Sequence, residues 1–547
     1  MTIGPNWWKS AVFYQIYPRS FRDANNDGIG DLQGVTEKLD YLNDGKGSGL
    51  GIDAIWFSPF FTSPMADFGY DVSDYCDIDP MFGTLADFDK LVAEAHQRGI
   101  KIVLDLVLNH SSDQHPWFQE SRQDRSNPKA DWYVWVDPKP DGSLPNNWLS
   151  VFGGPAWTFD EQRGQWYMHS FLREQPDLNW YHPEVREALF EVVRFWVQRG
   201  TDGFRFDTAN FFAYDQQFRD NPRKPDDLAH LETDKSSNPF FHYISCYSKD
   251  RPENFDFIAM LRKVLDEGTH LTSIGEVGGS HDLEGTIKMT TDYANGPERL
   301  HMAYSFALLN DLVDHDYFAT AVALTEKHSG EGWPCWSLGN HDCTRLFSRL
   351  GCAEKPEYQQ MLLGLLLTLR GTPILYYGDE LDMPEYPIRK DQLQDPYGIR
   401  MWPEIVGRDG CRTPFPWSSS ATQQGFNSGA KPWLPATAPN TLEDAEQEGR
   451  STLQAVRGLL RIRKSSPALQ TGSFQVVSTE NDCYVFERKS GSETMLVAGN
   501  FSGKERMTAL PADLVEDCTP KSLAQAGRVE NGKLHLPGYG FFIGRLT

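Results

Sequence analysis

Short apolar runs and longer periodic stretches take turns along this chain. The runs are AVFYQIY at Ala11–Tyr17, AIWF at Ala54–Phe57, KIVLDL at Lys101–Leu106 and GFRF at Gly203–Phe206. Four more follow at Leu271–Gly275, Met302–Phe306, Cys335–Leu338 and Pro373–Tyr377. Each has the length and residue types of a strand. Between them lie helical patterns. Leu85–Arg98 puts Phe88, Leu91, Val92 and Ala95 on one face, and Pro183–Arg199 carries Val185, Leu189, Val192, Val193, Trp196 and Val197. Pro183 suits the first turn of the latter. Eight strands separated mostly by helices predict an α/β chain, a (β/α)8 barrel.

Two stretches break the alternation. Residues 111–180, after the third strand, are dense in Pro, Gly, Trp and Asn and show no clear helix. A structureless loop of that length is uncommon, so a small irregular domain over the barrel mouth is expected. A second irregular stretch near 380–440 is rich in Pro, Asp and Trp and is expected over the same mouth. A Gly-rich loop at 45–51 precedes the second strand. One helix from Leu442 to Ser465 would close the barrel. After Pro467 come SFQVVS, CYVFER and TMLVAGNF, short alternating runs that predict an antiparallel β domain. The domains are therefore 1–110 and 181–469 for the barrel, 111–180 for the insertion, and 470–547 for the C-terminal domain.

Charge narrows the partners. The 76 acidic residues outnumber 52 basic ones, a net −24, which argues against nucleic acid and anionic membrane. No run of 18 apolar residues occurs and no basic-then-apolar segment opens the chain. The eight cysteines form no CxxC pair and read as reduced thiols, with Cys343 a spectator beside Asp342. A cytoplasmic protein is expected. The 16 Trp include candidates for sugar platforms, though most rings are core.

Three acids stand at strand ends. Asp207 closes GFRFD, Glu276 closes LTSIGE, and Asp342 lies just past CWSLGNHD's strand, 69 and 66 residues apart in turn. Any one alone reads as a cap or surface acid. Together, two of them beside Arg or His, they read as the paired carboxylates of glycosidic cleavage at a barrel mouth. Arg205 points to the same side of its strand as Asp207 and would keep that carboxylate ionised. His110 and His341 also lie at strand ends, beside Asn109 and Asp342, and could donate to sugar hydroxyls. Asp342 would clamp two hydroxyls of the bound ring. Near the start, Asp23, Asn25, Asp27, Ile29 and Asp31 fall at every second position around Gly28, like a calcium loop. The twelfth position is Gly34 rather than Glu, unlike an EF-hand, and an Asx-rich turn is the alternative. A structural divalent cation, Ca2+ or Mg2+, is expected there, with no organic cofactor.

These motifs resemble glycoside hydrolase family thirteen, the α-amylase family, and within it the α-glucosidase and oligo-1,6-glucosidase group. The resemblance spans the chain: AVFYQIYPRSF, DLVLNH, GFRFDTANF, SIGEVG, GNHD and, in the insertion, QPDLNW. It implies a retaining mechanism with Asp207 as nucleophile, Glu276 as general acid/base and Asp342 as transition-state stabiliser. His110, Arg205 and His341 would complete the pocket. In DFGYD and GRDGCRTPFPW it implies that Asp67 and Arg412 pair to grip the terminal glucose, with Tyr70 stacked beneath. Phe152 and Phe171 resemble the family's aromatic wall, and the D-x-N-x-D run its metal loop. Thr208 beside the nucleophile resembles α-1,4-specific members, where α-1,6-cutting relatives carry Val.

The expected function is an exo-acting α-glucosidase on maltose and short oligosaccharides, with transfer to a sugar or alcohol acceptor as a side activity. Rivals are a sucrose hydrolase or isomerase, and an oligo-1,6-glucosidase, which Thr208 disfavours. An endo-amylase is disfavoured by the closed pocket end. A catalytically inactive, membrane-anchored transporter heavy chain would have lost its acids, and this chain keeps all three. The partner is a small oligosaccharide or glucoside, met by a monomer or homodimer.

Overall fold

The structure is a computed structural model that describes residues 4, 6–225, 237–268, 270–279, 282–304 and 306–547. Eight parallel strands form its centre: β1 (Phe13–Ile16), β2 (Ala54–Phe57), β3 (Lys101–Leu106), β4 (Gly203–Phe206), β5 (Thr272–Glu276), β6 (Met302–Tyr304), β7 (Cys335–Ser337) and β8 (Thr372–Tyr376). Neighbours in sequence pair with one another except β6 and β7, and β8 pairs with β1. A parallel bridge between Ala303 and Pro334 brings β6 and β7 together, so the sheet is a barrel. All eight strands lie where the apolar runs predict them.

The runs are apolar throughout because both faces are buried. Phe13, Ala54, Trp56, Val103, Ile274, Met302 and Ile374 pack together inside. The residues between them, such as Tyr14, Ile55, Phe57, Ile102, Leu104 and Phe204, pack outward with the helices. Side chains alternate along a strand, so the inward set continues upward as Gln15, Ser58, Asp105, Arg205, Asp207 and Glu276. The barrel interior is thus apolar at its floor and polar at its mouth. The helices Leu85–Gln97 and Pro183–Gln198 fall within a residue of expectation. Thr84 and Asp87 form a reciprocal cap on the first.

The insertion after β3 is more regular than its composition suggests. A three-stranded sheet (Trp135–Val136, Trp157–Asp160, Gln165–Met168) and a short helix, Pro116–Ser121, give it form. The expected helix Leu442–Ser465 is two helices, Leu442–Gln447 and Thr452–Ser465. Glu448 turns extended (φ −91°, ψ 113°), and Ser451 caps the second helix through Gln454 N–H. Gly449 and a capping serine in one short stretch make the break favourable. The C-terminal domain holds a five-stranded sheet and a three-stranded one. Buried Arg488 of this domain donates to Thr368 O (2.7 Å) at the end of the helix Pro356–Thr368, fastening the domain to the barrel, while Arg463 of the barrel's last long helix donates to Leu367 O and Gly371 O (both 2.9 Å). Among the described residues no helix is long and apolar enough to cross a membrane.

Candidate active site

Arg205 stands at the centre of the mouth. Its side chain is fully buried and lies over the Trp56 ring, 5.1 Å from the ring centre. Nη1 donates to Asp105 Oδ1 and Asp207 Oδ1, each at 2.7 Å. Nη2 pairs with Glu276 Oε2 at 2.8 Å. One guanidinium therefore serves three carboxylates, which cannot all hold full negative charge in so dry a place. Burial raises two of them, Asp105 to about 7 and Glu276 further, so Glu276 holds its proton the more firmly. Burial pushes its carboxyl up to about 8, and Asp207 and Asp342 add to the rise while Arg205 opposes it. Glu276 is thus a neutral acid at pH 7, in hydrogen-bonding surroundings shared with Asp207.

Thr208 also joins the two. Its N–H donates to Glu276 Oε2 (3.0 Å) and its hydroxyl to Asp207 Oδ2 (3.2 Å). It does so in the left-handed region, φ 41°, a costly conformation for a β-branched residue.

Asp342 is the third acid. Arg408 Nη1 (3.2 Å) and Arg412 Nη2 (3.1 Å) both donate to its Oδ1, and His341 Nε2 lies 3.3 Å from Oδ2. Burial opposes its ionisation. His341, with the Arg408 and Arg412 guanidiniums, overcomes burial and holds the carboxyl well below the usual range. His341 is held neutral by burial, its ring far below the ordinary value. Gln15 Nε2 donates to its Nδ1 at 2.7 Å, which leaves the proton on Nε2, toward Tyr70 Oη and Asp342. The Tyr70 ring lies flat against His341, 5.4 Å between centres and 4° between planes, and its hydroxyl donates to Asp105 Oδ2 at 3.0 Å. Burial lowers His110 to about 4. Its Nε2 contacts Tyr70 O (3.2 Å) and Gln175 Nε2 (3.0 Å).

The expected pair between Asp67 and Arg412 is not formed. Asp67 Oδ1 accepts from Arg408 Nη2 at 2.7 Å, and Gln175 Nε2 donates to its Oδ2 at 3.3 Å. Arg412 is wholly buried behind, its Nε on His341 O (2.8 Å) and its guanidinium over the Tyr17 ring. The turn Asp409–Cys411 sends the two arginines of GRDGCR to different places, and the first reaches the pocket. Arg408 also donates to buried Asp395 (Nη2 to Oδ1, 2.7 Å) and lies 5.0 Å from the Phe152 ring centre. Met65 and Phe68 on either side of Asp67 have φ 66° and 48°, so a strained turn presents this carboxylate. Phe152 meets Phe171, which packs against His110 at 5.1 Å and Phe211 at 5.4 Å. The aromatic wall is there, with Phe211 and Tyr397 added to it. Asp105, Arg408, Gln15, Gln175 and Asp395 escaped sequence reasoning. Asp105 had a signal, being the one acid inside KIVLDL and on the inward register.

The Asx loop is wired to itself. Asp23 accepts from Asn26 N and Gly28 N, Asn25 from Asp27 N, Asp27 from Ile29 N, and Asp31 from Ala24, Asn25 and Gly34 N–H groups. Asn427 also donates to Asp23 (2.9 Å), tying the loop to the 380–440 stretch. The donors are all oxygen, the chemistry a hard cation takes. Among the described residues no three acidic, histidine or cysteine side chains converge as a metal cage.

Comparison with known proteins agrees with this geometry. The family model described as the α-amylase catalytic domain matches residues 15–472. A probable α-glucosidase of Rhizobium meliloti (strain 1021) is 45% identical over 99% of this chain and 97% of its own. An oligo-1,6-glucosidase of Parageobacillus thermoglucosidasius is 36% identical, covering 93% of each chain. The crystal structure of an α-glucosyl transfer enzyme, XgtA, matches with a TM-score of 0.91 at 45% identity, covering 99% of both chains.

Proposed function

Since the chain belongs to the α-amylase family of glycoside hydrolases, we propose that it is an exo-acting, retaining α-glucosidase of short α-1,4-linked oligosaccharides. The observation that carries the reading is the single Arg205 fork bonded to both Asp207 and Glu276. Two carboxyls held on one guanidinium suit the separation of about 5–5.5 Å that a covalent glycosyl intermediate needs, rather than the wider gap that admits a water. Asp207, oriented by its hydrogen bond from Arg205 Nη1, attacks the anomeric carbon. Glu276 gives its proton to the leaving oxygen and then takes one from the incoming hydroxyl. Asp342, anchored by Arg408 and Arg412, binds the ring hydroxyls and meets the positive charge of the oxocarbenium-like state. Neutral His110 and His341 serve as donors and acceptors without adding charge.

Exo action follows from the Asp67–Arg408 pair, which walls off the pocket's far end with Tyr70 at its base. Thr208 supports α-1,4 over α-1,6 linkage. The name of XgtA, at 45% identity, supports glucosyl transfer beside hydrolysis. A divalent cation at Asp23, Asn25, Asp27, Ile29 O and Asp31 is proposed as a fastener of the N-terminal loop, with no part in the chemistry. The eight unpaired thiols support a reducing, cytoplasmic setting for a monomer or homodimer.

The test is initial rates on maltose, isomaltose, sucrose and starch, with product anomer followed by NMR and Asp207→Asn as control. Release of α-glucose from maltose, with starch nearly inert, is expected. β-Glucose as first product removes retention, and preference for isomaltose or sucrose removes the linkage reading.

A further inference from the structure

A general acid works only where it is aimed, and a displacement of about 1 Å can cost about 100-fold in rate. Glu276 ends β5, and the chain continues as Val277, Gly278, Gly279. Two glycines in succession give this loop little stiffness of its own, and Gly279 takes φ 84°. Something else has to hold it. Gly278 O accepts from Lys249 Nζ at 2.7 Å and from Asn210 Nδ2 at 3.0 Å, and Gly279 O accepts from Lys249 Nζ at 3.2 Å.

Lys249 comes from a separate segment. It is only 4% exposed, its N–H donates to Ser245 O (3.0 Å), and its ammonium lies 3.1 Å from Asp250 Oδ2. Asp250 itself is left-handed, φ 55°, with its N–H on Asn210 O (2.9 Å) and its Oδ1 accepting from Asn210 Nδ2 (2.5 Å). Asn210 belongs to the loop after Asp207, whose Ala209 N–H donates to Glu276 O at 2.9 Å. The nucleophile loop, the acid loop and the 245–250 segment are thus knotted at one ammonium. The same ammonium lies 5.1 Å from the centre of the Phe211 ring, part of the aromatic wall.

A buried lysine is costly unless its donors are used. Neutralising Asp250 would need one contact, and the shortest contact goes to the Gly278 carbonyl instead. We propose that Lys249 is a positioning residue for acid catalysis, fixing the Gly278–Gly279 peptides and through them the direction of the Glu276 proton. The proposal rests on the reading of Glu276 as the general acid.

The experiment compares maltose, whose leaving alkoxide needs protonation, with α-glucosyl fluoride, whose fluoride leaves with little help. Lys249→Met should lower kcat/KM on maltose by about tenfold or more and on the fluoride by less than about threefold, and Lys249→Arg should recover most of the loss. Equal losses on both substrates, or none on either, overturn the proposal. Should Lys249→Met fail to fold, Asn210→Ala removes the other donor to Gly278 O and is judged by the same contrast. Glu276→Gln is the reference. If it shows no contrast between the two substrates, the acid assignment itself fails. If it shows the contrast and neither Lys249→Met nor Asn210→Ala does, only the role of Lys249 fails.

Discussion

Glu276 is defined by its neighbours rather than by its own chemistry. Asp105 and Asp207 share Arg205, and burial raises Asp105 to about 7 and Glu276 to about 8, so Glu276 is the acid that keeps its proton to the highest pH. The protonated form is the active acid, so kcat/KM on maltose should hold through neutral pH and fall as pH rises through about 8. Glu276→Gln should lose about 10²–10⁴-fold on maltose and show no such alkaline limb. A wild-type profile that falls already below pH 7 removes this account. The pocket end gives a second prediction. Arg408 bridges Asp67, Asp342 and Asp395 with a planar fork, which a lysine cannot reproduce. Arg408→Lys should raise KM for maltose by about tenfold, worth about 1.4 kcal/mol, more than it lowers kcat. An unchanged KM would return the clamp to Arg412. The three acids, Arg205 and His341 were legible from sequence because strand ends and strand register place them. Arg408 was not, because three residues of tight turn separate two arginines and no periodicity says which one faces the sugar.

At the scale of elements, the barrel was the readable part. A strand buried on both faces leaves an unbroken apolar run, and eight of these can be counted. The insertion was harder. Its strands are two and four residues long, and its rings pack on one another, as Phe118 does on Trp135 and Tyr167, so no two-residue alternation survives. The break at Glu448–Ser451 was hidden because the apolar face resumes in phase after it. The Asx loop was seen, but spacing alone could not separate a cation site from self-capping, since both ask for the same residues. Heat separates them. If the proposed cation binds, melting with a chelator should occur several degrees lower than with millimolar Ca2+, as mass action stabilises the bound fold. Asp27→Ala should abolish the difference while leaving maltose turnover near normal. Identical melting curves with chelator, Ca2+ and Mg2+ would leave the loop a plain turn.

The whole molecule carries two sets of buried titrating groups with opposite signs. Burial raises Asp71 to about 6 and Asp105, Asp177, Asp379, Asp382 and Glu385 to about 7. Such groups stabilise the fold while protonated, and that stability is lost as pH rises from their ordinary values to about 7. Burial lowers His110 and His169 to about 4 and His115 and His301 to about 3. The unfolded chain binds those protons below about 6.5, so this set adds stability as pH rises toward that value. The two slopes oppose each other between about pH 4.5 and 6.5, where groups of both kinds change places, at about 1.4 kcal/mol per group per pH unit. Above about 6.5 the histidines have finished and only the acids, with Glu276, still titrate. The net −24 adds self-repulsion there. Thermal stability should therefore be broadly flat near pH 5–6.5 and decline from about 6.5 to 8. At pH 8, raising NaCl from about 0.02 to 0.15 M shortens the Debye length to about 8 Å and should recover the part owed to repulsion, leaving the part owed to buried acids. Melting curves at pH 5.5, 6.5 and 8, each at both salt levels, read both terms. A melting point that climbs steadily to pH 8 would mean that these carboxyls are ionised in the fold, and with them the charge assigned to Glu276 would need revision.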